Sequence, residues 1–239
     1  MAQVSALKRA ESEKAYNLVG QRIGRKGQAT REKILSAALR IIESSDDAPI
    51  TLSGVARDVS VGMTTLYLYF PDLGDLVLAV LNRVMDAADS AFTDQLRKRW
   101  PDQSLRESCS KFLHAHFAFW RAHARILHMR NSYADAGDVR FLKYRGQVST
   151  PLINFLIFQM DGQPQSHVTP NGYIATLLLT WFERIATVVT NPTFHTAARN
   201  SGVTDEPDYI DHLIETEADL IALIVRHQRD INKPSHEGK

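Results

Sequence analysis

The chain has 239 residues, 28 Lys and Arg against 27 Asp and Glu for a net charge of +1, and 44% hydrophobic content, enough for one large domain or a small domain joined to a larger one. Its one cysteine, Cys109, excludes an intramolecular disulfide, suits a reducing compartment and leaves no Cys/His zinc pattern. The N-terminus has no apolar run of signal-peptide type and no segment approaches the roughly 18 uninterrupted apolar residues of a membrane span, so a soluble, cytoplasmic protein with no membrane partner is expected.

The charge is unevenly placed. Residues 1–42 hold nine Lys or Arg against three acids, whereas residues 205–239 hold nine acids against four bases. A basic front end points to a polyanionic partner. Residues 1–28, polar and basic with few apolar positions, read as an arm rather than core.

From Thr30 the pattern changes. Ile34, Ala37, Ala38, Ile41 and Ile42 recur at three-to-four spacing and predict a first helix. "SSDDAP" at residues 44–49 ends it, and Thr51 is a fitting N-cap for a short helix that turns Leu52, Val55, Ala56 and Val59 inward. The next stretch, "SVGMTTLYLYF" at residues 60–70, is aromatic enough for a buried strand, and periodicity cannot decide over so few residues. Its neighbours decide. A long helix is predicted from Pro71 and Asp72 to before Pro101, with Leu76, Val80, Val84, Ala87 and Ala91 on one stripe. Further helices are expected at Ser104 to about His123, about Ala124 to Ala134, Val139 to about Met160, Pro170 to Val189 and Asp205 to Asn232. The chain therefore reads as all-α, with about nine helices. The ambiguous stretch becomes the second half of a helix-turn-helix, with Leu66 and Phe70 facing the core and Met63, Thr64, Thr65, Tyr67, Leu68 and Tyr69 on or beside the outward face. Hydroxyls there suit phosphates, and Met63 and the Thr65 methyl suit thymine methyls or base edges.

Residues 55–70, "VARDVSVGMTTLYLYF", resemble the TetR family signature, whose usual form is close to I-A-x-x-A-G-V-S-x-G-T-L-Y-x-Y-F; the preceding "ATREKILSAALRIIE" resembles that family's first helix. The similarity covers about Thr30 to Leu81. Three positions depart: Ser60 stands at the usual turn glycine, Gly62 at the usual Ser cap, and Leu73 where many members carry a phosphate-contacting Lys. The resemblance implies DNA binding through Thr51, Ser53, Met63, Thr64, Thr65, Tyr67, Leu68 and Tyr69. It also implies an N-terminal extension that grips DNA, for which Arg22, Arg25, Lys26 and Arg31 are suitably placed.

The resemblance further implies a larger C-terminal domain that binds a small-molecule effector and dimerises through its last two long helices. On its own terms the sequence allows this. Ile185 and Val189 belong to one apolar face, and Tyr209, Leu213, Leu220 and Ile224 to another, so two helices from each of two chains would close a bundle. Aromatics of the middle helices, Phe112, His116, Phe119, Trp120, Tyr144 and Phe155, with Trp181, either line a pocket for an apolar or aromatic ligand or pack as ordinary core. Pro151, inside a predicted helix, is expected to kink or break it.

His114, His116, His123 and His128 lack the i, i+4 spacing with a placed acid that a zinc site on a helix uses, so no metal is expected. There is no nucleophile elbow, phosphate-cradling Gly-rich loop or convincing triad, and no cofactor or catalytic residue is assigned. The resulting expectation is a basic arm at 1–28, a DNA-binding domain at 29–75, an effector-binding and dimerisation domain at 76–232 and a tail at 233–239. The function expected is a ligand-responsive regulator, a repressor that binds a pseudo-palindromic operator in double-stranded DNA as a homodimer. The departures at Ser60, Gly62 and Leu73 leave open an alternative: a helical ligand- or partner-binding protein whose helix-turn-helix does not read sequence.

Overall fold

The structure, a computed structural model, describes residues 24–44, 49–163 and 167–233, and among these every regular element is helical. The chain divides into two compact units, one ending at Arg83 and one starting at Val84.

In the first unit, α1 (Arg25–Glu43) buries Ile34, Ala37, Ala38 and Ile42 of the predicted stripe and Leu35 beside it, while Ile41 of that stripe is half-buried. It starts before Thr30 because its first turn is polar, which apolar periodicity cannot see; the Thr30 hydroxyl bonds the Lys26 carbonyl at 3.0 Å. The short helices α2 (Leu52–Asp58) and α3 (Met63–Tyr67) follow, and α2 packs against both α1 and α3. Then comes α4 (Leu73–Met85), which Asp72 starts by accepting the Asp75 N–H at 2.9 Å. Leu76, Val77, Val80 and Leu81 of α4 join Val55, Ala56, Leu66 and Phe70 among the buried side chains.

The long helix expected to reach Pro101 is instead broken after Met85. The chain forms α5 (Ala88–Ala91) and a 3₁₀ turn over Thr93–Leu96. Two things compete successfully with a continuing helix. Phe92, 3% exposed, turns its ring into an aromatic cluster. Gln159, fully buried, donates its amide to the Leu96 and Lys98 carbonyls at 2.8 and 2.9 Å and accepts the Trp100 N–H at 2.9 Å, so these groups need no helical partners.

The second unit continues with α6 (Leu105–Ala122), α7 (Ala124–Asp135), α8 (Val139–Gln159), α9 (Pro170–Val189), α10 (Phe194–Asn200) and α11 (Glu206–Asn232). α6 packs most extensively on α11, and α8 on α9 and α7. Pro151 leaves α8 unbroken, contrary to the sharper half of the expectation. α10, within a connection that sequence pattern leaves as loop, brings the count of α-helices among the described residues to eleven. Asp138, Thr169 and Asp205 cap α8, α9 and α11 with their side chains. At the start of α9, a Cβ on Gly172 would lie 2.3 Å from the His167 carbonyl oxygen, so this close approach admits only glycine.

By length and composition α9 alone among the described residues could cross a membrane, yet Ala175, Leu178, Leu179, Phe182 and Ala186 are buried within the unit.

Candidate nucleic-acid interface and effector region

The helix-turn-helix is built from local chemistry. The Thr51 hydroxyl accepts the Gly54 N–H at 3.1 Å and so starts α2, and Ser53 lies 3.3 Å from it, hydroxyl to hydroxyl. Ala56, 3% exposed, is small enough to let α2 and α3 cross closely, and its carbonyl accepts the Val61 N–H at 3.0 Å to close the turn. Ser60 takes φ of +55°, so the departure from glycine is accommodated in the left-handed region at a cost. Gly62 starts α3 with no side-chain cap.

The segment then divides by face. Leu66 and Phe70 are 0% and 2% exposed, whereas Tyr67 is 47% and Leu68 37% exposed. Thr64 is exposed, and Met63, Thr65 and Tyr69 are half-buried beside it. Every outward position that the sequence singled out on α3 and its C-terminal turn is thus reachable. Of the basic residues, Arg25 and Lys26 are exposed on the first turn of α1, Arg31 is half-buried with its guanidinium 5.5 Å from the Phe70 ring centre, and Arg22 lies outside the described residues. Arg40 is ion-paired with Asp58. Sequence reasoning passed over Arg57, exposed in the last turn of α2; two residues from the inward Val55, it was a recognisable outward position.

In the second unit four of the seven aromatic candidates, Phe112, His116, Phe119 and Trp120, are brought together, but against one another and Phe92. His116 lies 4.8 Å from Phe182 and 5.1 Å from Phe92, centre to centre, and Phe112 and Phe119 complete the cluster with Phe92. Burial first, and Arg130 second, push the His116 imidazole down to about 3, so it is neutral at pH 7. Trp120 and Tyr144 are buried, and burial holds the Tyr144 phenol protonated. Phe155 is half-buried with Arg97 5.4 Å from its ring centre. Arg130, 2% exposed, stacks over Trp120 at 5.4 Å, donates to Asn131 at 3.1 Å and approaches Glu183 at 3.5 Å.

Open space lies elsewhere. A cavity of about 860 Å³ is lined by apolar Phe117, Val189, Pro192, Ile210 and Ile214 and by polar His114, Arg121, His195, Glu206 and Asp211. His114 shares a 2.7 Å hydrogen bond with Glu215, and His195 bonds Glu206. These residues come from α6, the end of α9, the connection around α10 and the start of α11, so only the fold assembles them. A second, apolar groove of about 630 Å³ runs between α9 and α11 and includes Trp181, the one aromatic candidate that borders either space. Around it Tyr173, Leu177, Trp181 and Val188 of α9 and Leu220, Leu223 and Ile231 of α11 are exposed. Of the interface candidates, Tyr209 and Leu220 are exposed, Ile185, Leu213 and Ile224 are half-buried, and Val189 is buried within its own unit. Leu177 and Leu223, the most open of the stripe at 68% and 62%, were missed, although Tyr173, Leu177 and Trp181 recur every four residues.

No family model matches the chain and no curated protein matches it. The fold aligns with that of a TetR-like transcriptional regulator from Rhodococcus sp. RHA1 over 80% of this chain and 94% of that chain, at 20% identity and a TM-score of 0.49.

Proposed function

We propose that the protein is a ligand-responsive transcriptional regulator of the TetR type, a cytoplasmic homodimer that represses by binding a pseudo-palindromic operator. The observation that carries this reading is the division of residues 63–70, with Leu66 and Phe70 anchored in the core while Thr64, Tyr67 and Leu68 stand outward on a helix-turn-helix. A rigidly held helix with a free face is what major-groove reading needs. Exposed Arg25, Lys26 and Arg57 supply positive charge for phosphates in place of the lysine that Leu73 displaces.

The homodimer is supported by the exposed apolar stripe on α9 and α11, which two-fold symmetry would bury against itself while placing two recognition helices on successive half-sites. The effector is supported by the 860 Å³ cavity, a size that suits a drug-sized molecule with an apolar body. α4 is the chain's continuous helical link between the units, starting in one and ending at Met85 in the other, so a ligand that shifts it alters the presentation of α3.

The test is selection of bound duplexes from a random pool by the purified full chain at two salt concentrations. One pseudo-palindromic motif, with affinity falling steeply as salt rises, is the expected result. A folded dimer that retains no duplex would overturn the reading and leave the α9–α11 face and the cavity as the functional surfaces of a partner-binding protein.

A further inference from the structure

The recognition segment lacks the side chains that read bases by paired hydrogen bonds. From Val59 to Pro71 there is no Lys, Arg, Asn, Gln, Asp or Glu. Guanine is read in the major groove by Arg or Lys at O6 and N7, adenine by Asn or Gln at N6 and N7, and cytosine by Asp or Glu at N4. The outward face offers instead Met63, the methyls of Thr64 and Thr65, the Tyr67 ring and Leu68. The apolar group on a major-groove base edge is the C5-methyl of thymine. Tyr67 and Leu68, 47% and 37% exposed, gain by leaving water only where such a group meets them.

The cations near the segment either have partners or lie outside the reading helix, as Arg57 does, exposed in the last turn of α2. Arg40 is held by Asp58, and Arg31 stacks on Phe70. Arg25 and Lys26 lie on the first turn of α1, outside the reading helix. We infer that α3 specifies its half-site through thymine methyl groups, so that the base pairs beneath Met63, Thr64 and Leu68 are A·T pairs read by apolar contact, with the threonine hydroxyls donating to thymine O4 or to phosphate. This rests on the reading that this face meets DNA.

The experiment compares the selected operator with the same duplex in which each half-site thymine is replaced in turn by deoxyuridine, which removes the methyl and keeps every hydrogen-bonding group. Loss of about fourfold in affinity is expected for each contacted methyl, the worth of one buried carbon. Replacing that T·A pair by 5-methylcytosine·guanine, which restores the methyl on another base, should recover part of the loss. Met63→Ala, at a half-buried position whose folding is checked by thermal melting, should bind thymine and deoxyuridine duplexes with nearly equal affinity at the position it touches. Two results overturn the inference while leaving the regulator intact: equal affinity of the wild-type chain for thymine and deoxyuridine operators, or selection of a guanine whose preference disappears in Arg57→Ala. Failure to bind any duplex sinks the regulator reading, and this inference with it.

Discussion

Ser60 holds a left-handed backbone, φ +55°, without the freedom of glycine. Its side chain is exposed, so replacing it removes strain and loses no packing. Ser60→Gly is expected to raise unfolding free energy by roughly 1 kcal/mol, readable as a higher urea midpoint with an unchanged slope. Glu217 poses the opposite case. Only 4% exposed, with Oε1 lacking a hydrogen bond, its carboxyl is pushed by burial from 4.5 up to about 7. The folded state therefore keeps a proton that the unfolded chain releases. Stability from this group falls as pH rises from about 4.5 to about 7 and is level above that, a penalty on the order of 3 kcal/mol. His116, pushed down to about 3, acts in reverse: it costs stability as pH falls below its ordinary 6.5. The two slopes nearly cancel where they overlap, so the comparison must be between proteins. Glu217→Gln should exceed the parent at pH 8 by a few kcal/mol and lose that advantage by pH 5, measured by denaturant unfolding at each pH.

Among elements, those with a periodic apolar face or an obvious cap were legible in the sequence. α2 starts at Leu52 behind the expected cap Thr51, α9 starts at the expected Pro170, and α11 starts at Glu206, one residue past the expected Asp205, which caps it. Ambiguity over "SVGMTTLYLYF" was resolved by context alone, because Leu66 and Phe70 fit a helix as well as a strand until their neighbours are known. The break after α4 was illegible for a different reason. One of its two causes, the Gln159 side chain, lies 63 residues beyond Leu96, and the other, the aromatic cluster that takes Phe92, is also assembled only by the fold. Long-range partners of this kind leave no local pattern. Gln159→Ala should strand the Trp100 N–H and the two carbonyls it satisfies, costing about 3 kcal/mol in chemical denaturation. A loss under about 1 kcal/mol would show that the segment from Thr93 to Trp100 finds its partners without it. The same limit hid the cavity, whose walls include the unforeseen α10 connection.

At the scale of the whole molecule, the outward face of α3 was readable position by position, whereas the open spaces of the second unit were not. Aromatic residues in a helical chain signal either a pocket or a filled core, and here Phe112, His116 and Phe119 fill space with one another. The stripe on α9 and α11 allows a sharp test of assembly. Leu177→Arg combined with Leu223→Arg places two charges per chain on the most open apolar positions, and should convert a dimer into a folded monomer by sedimentation. Operator affinity should drop by at least a hundredfold with it, since each half-site would then be bound alone.

The three tryptophans divide in a way that gives this test a built-in optical signal. Trp100 and Trp120 are buried, but Trp181 is 38% exposed on the stripe. Indole emission shifts to shorter wavelength as water is withdrawn from the ring. Dilution of the proposed dimer through its dissociation constant should therefore move the emission to the red without any unfolding, and Trp181→Phe should abolish the shift while the light from the two inner rings persists. A single unlabelled sample would then report its own state of association, at concentrations where sedimentation loses sensitivity.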